Sequence, residues 1–172
     1  MKRTSSGFTI TELLIVIVII GILVGLVIVT YTGLQQRSRD SKITSDLKSL
    51  TRGIDVARIS EDKTLEEITQ SNNTYIQCFA KPTGTDLAAL PKTDQCWIDY
   101  YSALEKIGNA SGANVMGLVD PCGRPYYINE NEGDIPGNPC IQDILAVYRQ
   151  PFVHNQYGAS NIILITNSLN GC

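Results

Sequence analysis

Past residue 30 this 172-residue chain has no long apolar run, and before Pro82 it has no proline. The first absence excludes a polytopic membrane protein, because a further span would need about 20 apolar residues. The second leaves the N-terminal region free to run as one uninterrupted helix. There is a single histidine, His154, and no cysteine pair at CxxC spacing, which is too few soft ligands for a zinc centre. A glycine-rich phosphate loop, a GxSxG segment and carboxylates framed by aromatics are all missing. No catalytic residue, metal ligand or cofactor is therefore assigned. Basic excess is lacking too, since the formal net charge is −3, and this disfavours a basic nucleic-acid binder. Internal repeats and low-complexity tracts are absent.

What is present is unevenly spread. Residues 13–29 form 17 consecutive positions with no charge and no side-chain amide or hydroxyl. As a helix they reach about 26 Å, slightly short of a ~30 Å hydrocarbon core. Thr30, Tyr31 and Leu34 extend the run, with Tyr31 as an interfacial aromatic, so a transmembrane segment is expected over about 13–31. A fully soluble cytosolic protein is excluded by this feature.

The helical pattern continues beyond that segment. Ile43, Leu47, Leu50, Ile54 and Ala57 recur at steps of four, three, four and three, a narrow apolar seam. Charged residues, Arg58 among them, are read onto the remaining faces. A continuous helix over 8–60 is expected, about 78 Å long. Charge is segregated along the chain: residues 31–60 carry six basic and three acidic residues, and residues 61–172 carry six and thirteen. A basic neck and an acidic body favour staggered packing of copies.

Residues 61–172 read as a globular head. Short helices are expected over 62–70 and 97–107, a loop over 74–91, and strands over 114–119, 126–129, 144–149 and 161–166. The fold class is α+β, with a long N-terminal helix whose outer half packs on an antiparallel sheet. The five cysteines, Cys78, Cys96, Cys122, Cys140 and Cys172, all follow the apolar run, which suits an oxidising compartment. Several connectivities are open. Cys78–Cys96 and Cys122–Cys140 are favoured because each closes a local loop of similar length, leaving Cys172 as the free thiol.

The stretch from Gly7 through Phe8, Thr9, Ile10, Thr11 and Glu12 into the apolar run resembles the class III signal sequence of type IV pilins and pseudopilins. The resemblance implies a leader of residues 1–7, cleavage between Gly7 and Phe8 by a prepilin peptidase, and N-methylation of Phe8. It further implies that Glu12 of one subunit pairs with the Phe8 amine of another during assembly. A carboxylate at the edge of an apolar span is costly in its own right and marks function or a partner. Gly21 and Gly25 form a GxxxG that lets membrane helices approach closely. Asp120-Pro121-Cys122-Gly123-Arg124-Pro125-Tyr126 is similar to the Asp-Pro-Trp-Gly-x-Pro-Tyr turn of major pseudopilins, with cysteine in place of tryptophan. Those relatives hold calcium in a later acidic loop. Here Asn129, Glu130, Glu132 and Asp134 lack EF-hand spacing, so no calcium is expected.

Together these imply a filament subunit, not an enzyme: a single-pass precursor in the inner or cytoplasmic membrane that assembles with copies of itself and other pilins through a dedicated machinery. A pilus subunit at the cell surface is the favoured expectation. A pseudopilin of a type II secretion or DNA-uptake system and a membrane-anchored extracellular binding protein are the alternatives.

Overall fold

The structure is a computed structural model that describes residues 9–72, 74–131, 141–153, 156–157 and 163–165. Within these, the side chains of 27–32, 149–151, 156–157 and 163–165 are outside the description. The described elements are α1 (Ile10–Glu61), α2 (Leu65–Thr69), α3 (Thr74–Gln77), α4 (Gln95–Ser111), β1 (Tyr127–Asn129), β2 (Asp143–Ala146), β3 (Tyr148–Val153), β4 (Gln156–Tyr157) and β5 (Ile163–Ile165). The expected long helix is thus found as the 52-residue α1. The chain divides into two compact units, Met1–Asp40 and Ser41–Cys172.

In the second unit the apolar seam of α1 is the spine of the core. Leu47, Leu50, Ile54 and Ala57 are buried, and Ile43 packs at the margin. They meet Trp97, Tyr100, Leu104 and Ile107 of α4, then Ile128 and Leu145 of the sheet. Burying side chains of this size contributes about 1.5–3 kcal/mol each. Gly53 lies on the same face for a steric reason: a methyl group there would sit 3.3 Å from the Val115 side chain. A second aromatic cluster, Phe79, Tyr127, Tyr148 and Phe152, surrounds the Cys78–Cys96 bond. Desolvation pushes the phenols of Tyr100, Tyr126 and Tyr148 well above their ordinary value of 10.

The sheet is antiparallel, in the order β1-β2-β5, with β3 and β4 forming a separate two-stranded pair. The free side of β1 is closed by α3. The Thr74 hydroxyl accepts the Ile128 N–H at 2.6 Å and lies 3.2 Å from the carbonyls of Tyr126 and Ile128, to which its proton is offered.

Three expectations are corrected here. Residues 114–119 are not a strand. Gly112 ends α4 in the left-handed conformation, and the carbonyls of Leu118 and Val119 take bonds from the Tyr100 hydroxyl and the Lys42 ammonium, both at 2.6 Å. With side chains satisfying the backbone, no ladder is needed. The loop expected over 74–91 begins with the single turn α3. Arg58, read onto an outer face, is buried and ion-paired to Asp143 of β2, whose other oxygen accepts the Asn131 N–H at 2.9 Å.

Candidate functional site

The N-terminus of α1 is built by Thr9 and Glu12. The Thr9 N–H and hydroxyl both donate to Glu12 Oε2, at 2.8 and 2.7 Å, and the Glu12 N–H donates back to Thr9 Oγ1 at 3.3 Å. This is a reciprocal capping box, in which Thr9 and Glu12 satisfy helix N–H groups that have no partner within the helix. Its signal in the sequence is Thr-x-x-Glu before an apolar run, although the resemblance draws attention to Glu12 alone. Only one carboxylate oxygen is engaged. Oε1 accepts no bond among the described residues.

From Leu13 to Leu26 every large apolar side chain is exposed, from 46% at Val16 to 64% at Leu26. A surface helix normally shows one apolar stripe; one that is apolar all round has to be covered by lipid or by other helices. Gly21 and Gly25 each face open space, with no atom within 4 Å of the point a Cβ would occupy. They stand on one face of α1 because they are four residues apart, so another helix could come close there. Among the described residues no helix is long and apolar enough to cross a membrane. Side chains 27–32 of the expected span are outside the description. Gly7 and Phe8 also lie outside it, as does His154.

The cysteine expectations divide. Cys78 and Cys96 are joined and buried, tying the end of α3 to the start of α4. Cys122 is instead a free, exposed thiol, which corrects its expected pairing with Cys140. It sits at the apex of the Asp120–Arg124 turn, where Asp120 Oδ1 accepts the N–H groups of Cys122 and Arg124 at 2.8 and 2.9 Å. Those bonds and the Arg124–Asp120 ion pair define the turn without a covalent link. Gly123 there has φ 78°, a conformation that favours glycine. Cys140 and Cys172 lie outside the described residues. Glu130 is buried and takes the Thr69 hydroxyl; Glu132 and Asp134 lie outside the description. No group of three or more metal-ligating side chains forms among the described residues.

Comparison with known proteins concentrates on the same end of the chain. Residues 2–28 match the model of the prokaryotic N-terminal methylation motif. The N-terminal segment carries that motif. Over 62 residues the chain is 36% identical to the type II secretion system core protein G of Aeromonas hydrophila, covering 36% of this chain and 43% of that relative. Over 63 residues it is 32% identical to the same-named protein of Dickeya chrysanthemi, covering 37% and 41%. The chain therefore matches less than half the length of these curated relatives. No solved structure matches it.

Proposed function

We propose that this protein is the structural subunit of a helical filament, processed between Gly7 and Phe8, N-methylated on Phe8, and held in the membrane by residues 13–31 until it is assembled. The observation that carries this reading is the methylation-motif match over 2–28, on a helix whose large apolar side chains from Leu13 to Leu26 are all exposed. Each copy supplies what the next lacks: an apolar rod, and at its tip a carboxylate with one oxygen still open. The α-amino group created at Phe8 is a fitting donor for that oxygen, and the GxxxG face gives a close-approach line between helices. The head then remains outside the packed helices.

Of the two filament types, a type II secretion pseudopilus is favoured over a surface pilus, because both relatives carry that system's name. Antibody to the head should label short structures confined to the envelope; long extracellular fibres would return the reading to a pilus. The partners proposed are further copies of the chain, other pilins, a prepilin peptidase with methyltransferase activity, and the assembly machinery.

The processing step is tested by intact mass and N-terminal sequencing of the protein isolated from its own membrane. A chain starting at methylated Phe8 is expected. A start near residue 33, or an uncut Met1, would overturn the filament reading. A second expectation concerns Glu12. Both Glu12→Ala and Glu12→Gln should leave membrane insertion intact and lower filament yield by about tenfold or more, the scale of a lost charge-assisted bond of about 1.5–3 kcal/mol. Because glutamine keeps a capping oxygen, equal failure of both variants would separate the pairing role from the cap. Wild-type yield in both would count against the pairing.

A further inference from the structure

On the outer half of α1, the face turned away from the core carries an unusual combination. Positions 48, 52, 56 and 59 recur at steps of four, four and three and so share one side of the helix, opposite the Leu47–Leu50–Ile54–Ala57 seam. Lys48 and Arg52 are exposed, and neither has an ion-pair partner among the described residues. Beyond them Val56 and Ile59 are 47% and 72% exposed. A cationic pair running into an exposed apolar pair has the make-up of a contact surface, with an apolar centre and a charged rim.

The complementary charge begins at the last residue of the helix. Glu61, Asp62, Glu66 and Glu67 are all exposed, against two cations, Lys63, which pairs with Glu61, and Lys106 of α4, which is held by the Thr69 carbonyl and Gln70. Within one chain the two regions cannot neutralise one another. Nine residues of helix separate Arg52 from Glu61, a rise of about 14 Å, and exposed charges at that distance are beyond a Debye length of ~8–10 Å. Between two parallel copies displaced along the helix axis, the acidic end of one comes beside the basic stripe of the other.

We infer that the outward stripe of α1, Lys48, Arg52, Val56 and Ile59, docks against the acidic end of a neighbouring copy, Glu61, Asp62 and Glu66. This rests on the filament reading and names the head-to-head contact that reading leaves open. The contact sets the axial stagger of the heads, and the exposed aliphatic pair is covered when it forms. Charge complementarity of this kind fixes register and partner more than it adds raw affinity. Its strength should fall as salt rises.

The test is a charge exchange in the full-length chain, expressed with its assembly machinery. Lys48→Glu with Arg52→Glu should lower filament yield by about tenfold or more, because like charges then face each other. Glu61→Lys with Glu66→Lys should do the same; neither position supplies a capping-box side chain, and Glu67 is left alone. Combining all four changes should restore yield to within about threefold of wild type, since the attraction is re-formed with its signs exchanged. Zero-length carbodiimide cross-linking of wild-type filaments should join Lys48 to Glu61, Asp62 or Glu66 of another copy. Unchanged yield in the two reversal variants, or no recovery in the combined one, overturns the contact while wild-type assembly leaves the filament reading standing. A wild-type chain that never assembles overturns the filament reading, and this contact with it.

Discussion

Replacing Arg58 with methionine should cost the head about 3–5 kcal/mol of stability, because it removes the cation from a buried ion pair. Arg58 is 1% exposed and Asp143 is fully buried, and the two are joined across 85 positions of sequence. The bond fastens the end of α1 to the first residue of β2, and the second Asp143 oxygen holds the Asn131 N–H just beyond β1. Methionine fills a similar volume but takes the guanidinium away from that buried charge. The double variant Arg58→Met with Asp143→Leu should recover most of the loss, since removing both charges of a buried pair is often near neutral. Recovery should stop short of wild type by about 1–3 kcal/mol, because the Asn131 N–H loses its acceptor. Urea unfolding of the detergent-solubilised full chain, followed by circular dichroism, measures each step. A single variant within about 1 kcal/mol of wild type would be incompatible with this view of the pair.

Removing the Cys78–Cys96 bond should lower stability by about 3 kcal/mol, the chain-entropy value for a loop of this length. The bond spans 18 positions that contain no regular helix or strand between Gln77 and Gln95. Other ties in that segment include Phe79 in the aromatic cluster, Lys92 over the Trp97 ring and several polar bonds. Lys81 donates to Asp94 at 2.7 Å, the Trp97 indole donates to the Leu87 carbonyl at 3.0 Å, and Leu87 alone is deeply buried among its central residues. Cys78→Ala with Cys96→Ala should therefore loosen residues 79–95 first, with Trp97 and Leu87 separating before the sheet opens. Limited proteolysis read by mass spectrometry should show new cuts between Lys81 and Lys92 before any cut in α4. A thermal midpoint equal to wild type, with no added cleavage there, would mean that the aromatic cluster holds the segment unaided. The Asp120–Arg124 turn is held by its own hydrogen bonds and ion pair, so it should keep its form in the variant.

How legible these features are in the sequence depends on range. The seam of α1 can be read because Leu47, Leu50, Ile54 and Ala57 carry their period within a few turns. The helices α2 and α4 are placed for the same local reasons, with caps at Thr64 and Asp94. The methylation segment is legible because its residues are contiguous. Arg58 is misread because it sits beside the seam, and only its distant partner makes burial of a guanidinium tolerable. Residues 114–119 have strand composition, but Tyr100 and Lys42 take the carbonyls that a ladder would have used. Cys122 and Cys140 match Cys78 and Cys96 in spacing, and spacing alone does not bring two thiols together. Thr74 reads as part of a loop, and nothing local announces that its hydroxyl reaches β1.

That hydroxyl also bears on how copies of the protein can meet. An uncovered outer strand is a template on which another chain can extend a sheet, and proteins that travel at high local concentration must guard it. Here the outer side of β1 is already occupied, with Thr74 taking the Ile128 N–H and facing the carbonyls on either side. A foreign strand would have to displace α3 and its packing before it could add to that side. Growth by strand addition at β1 is thereby closed off, so any contact between copies at that edge has to be made by side chains, whose geometry is specific and whose contacts can be undone.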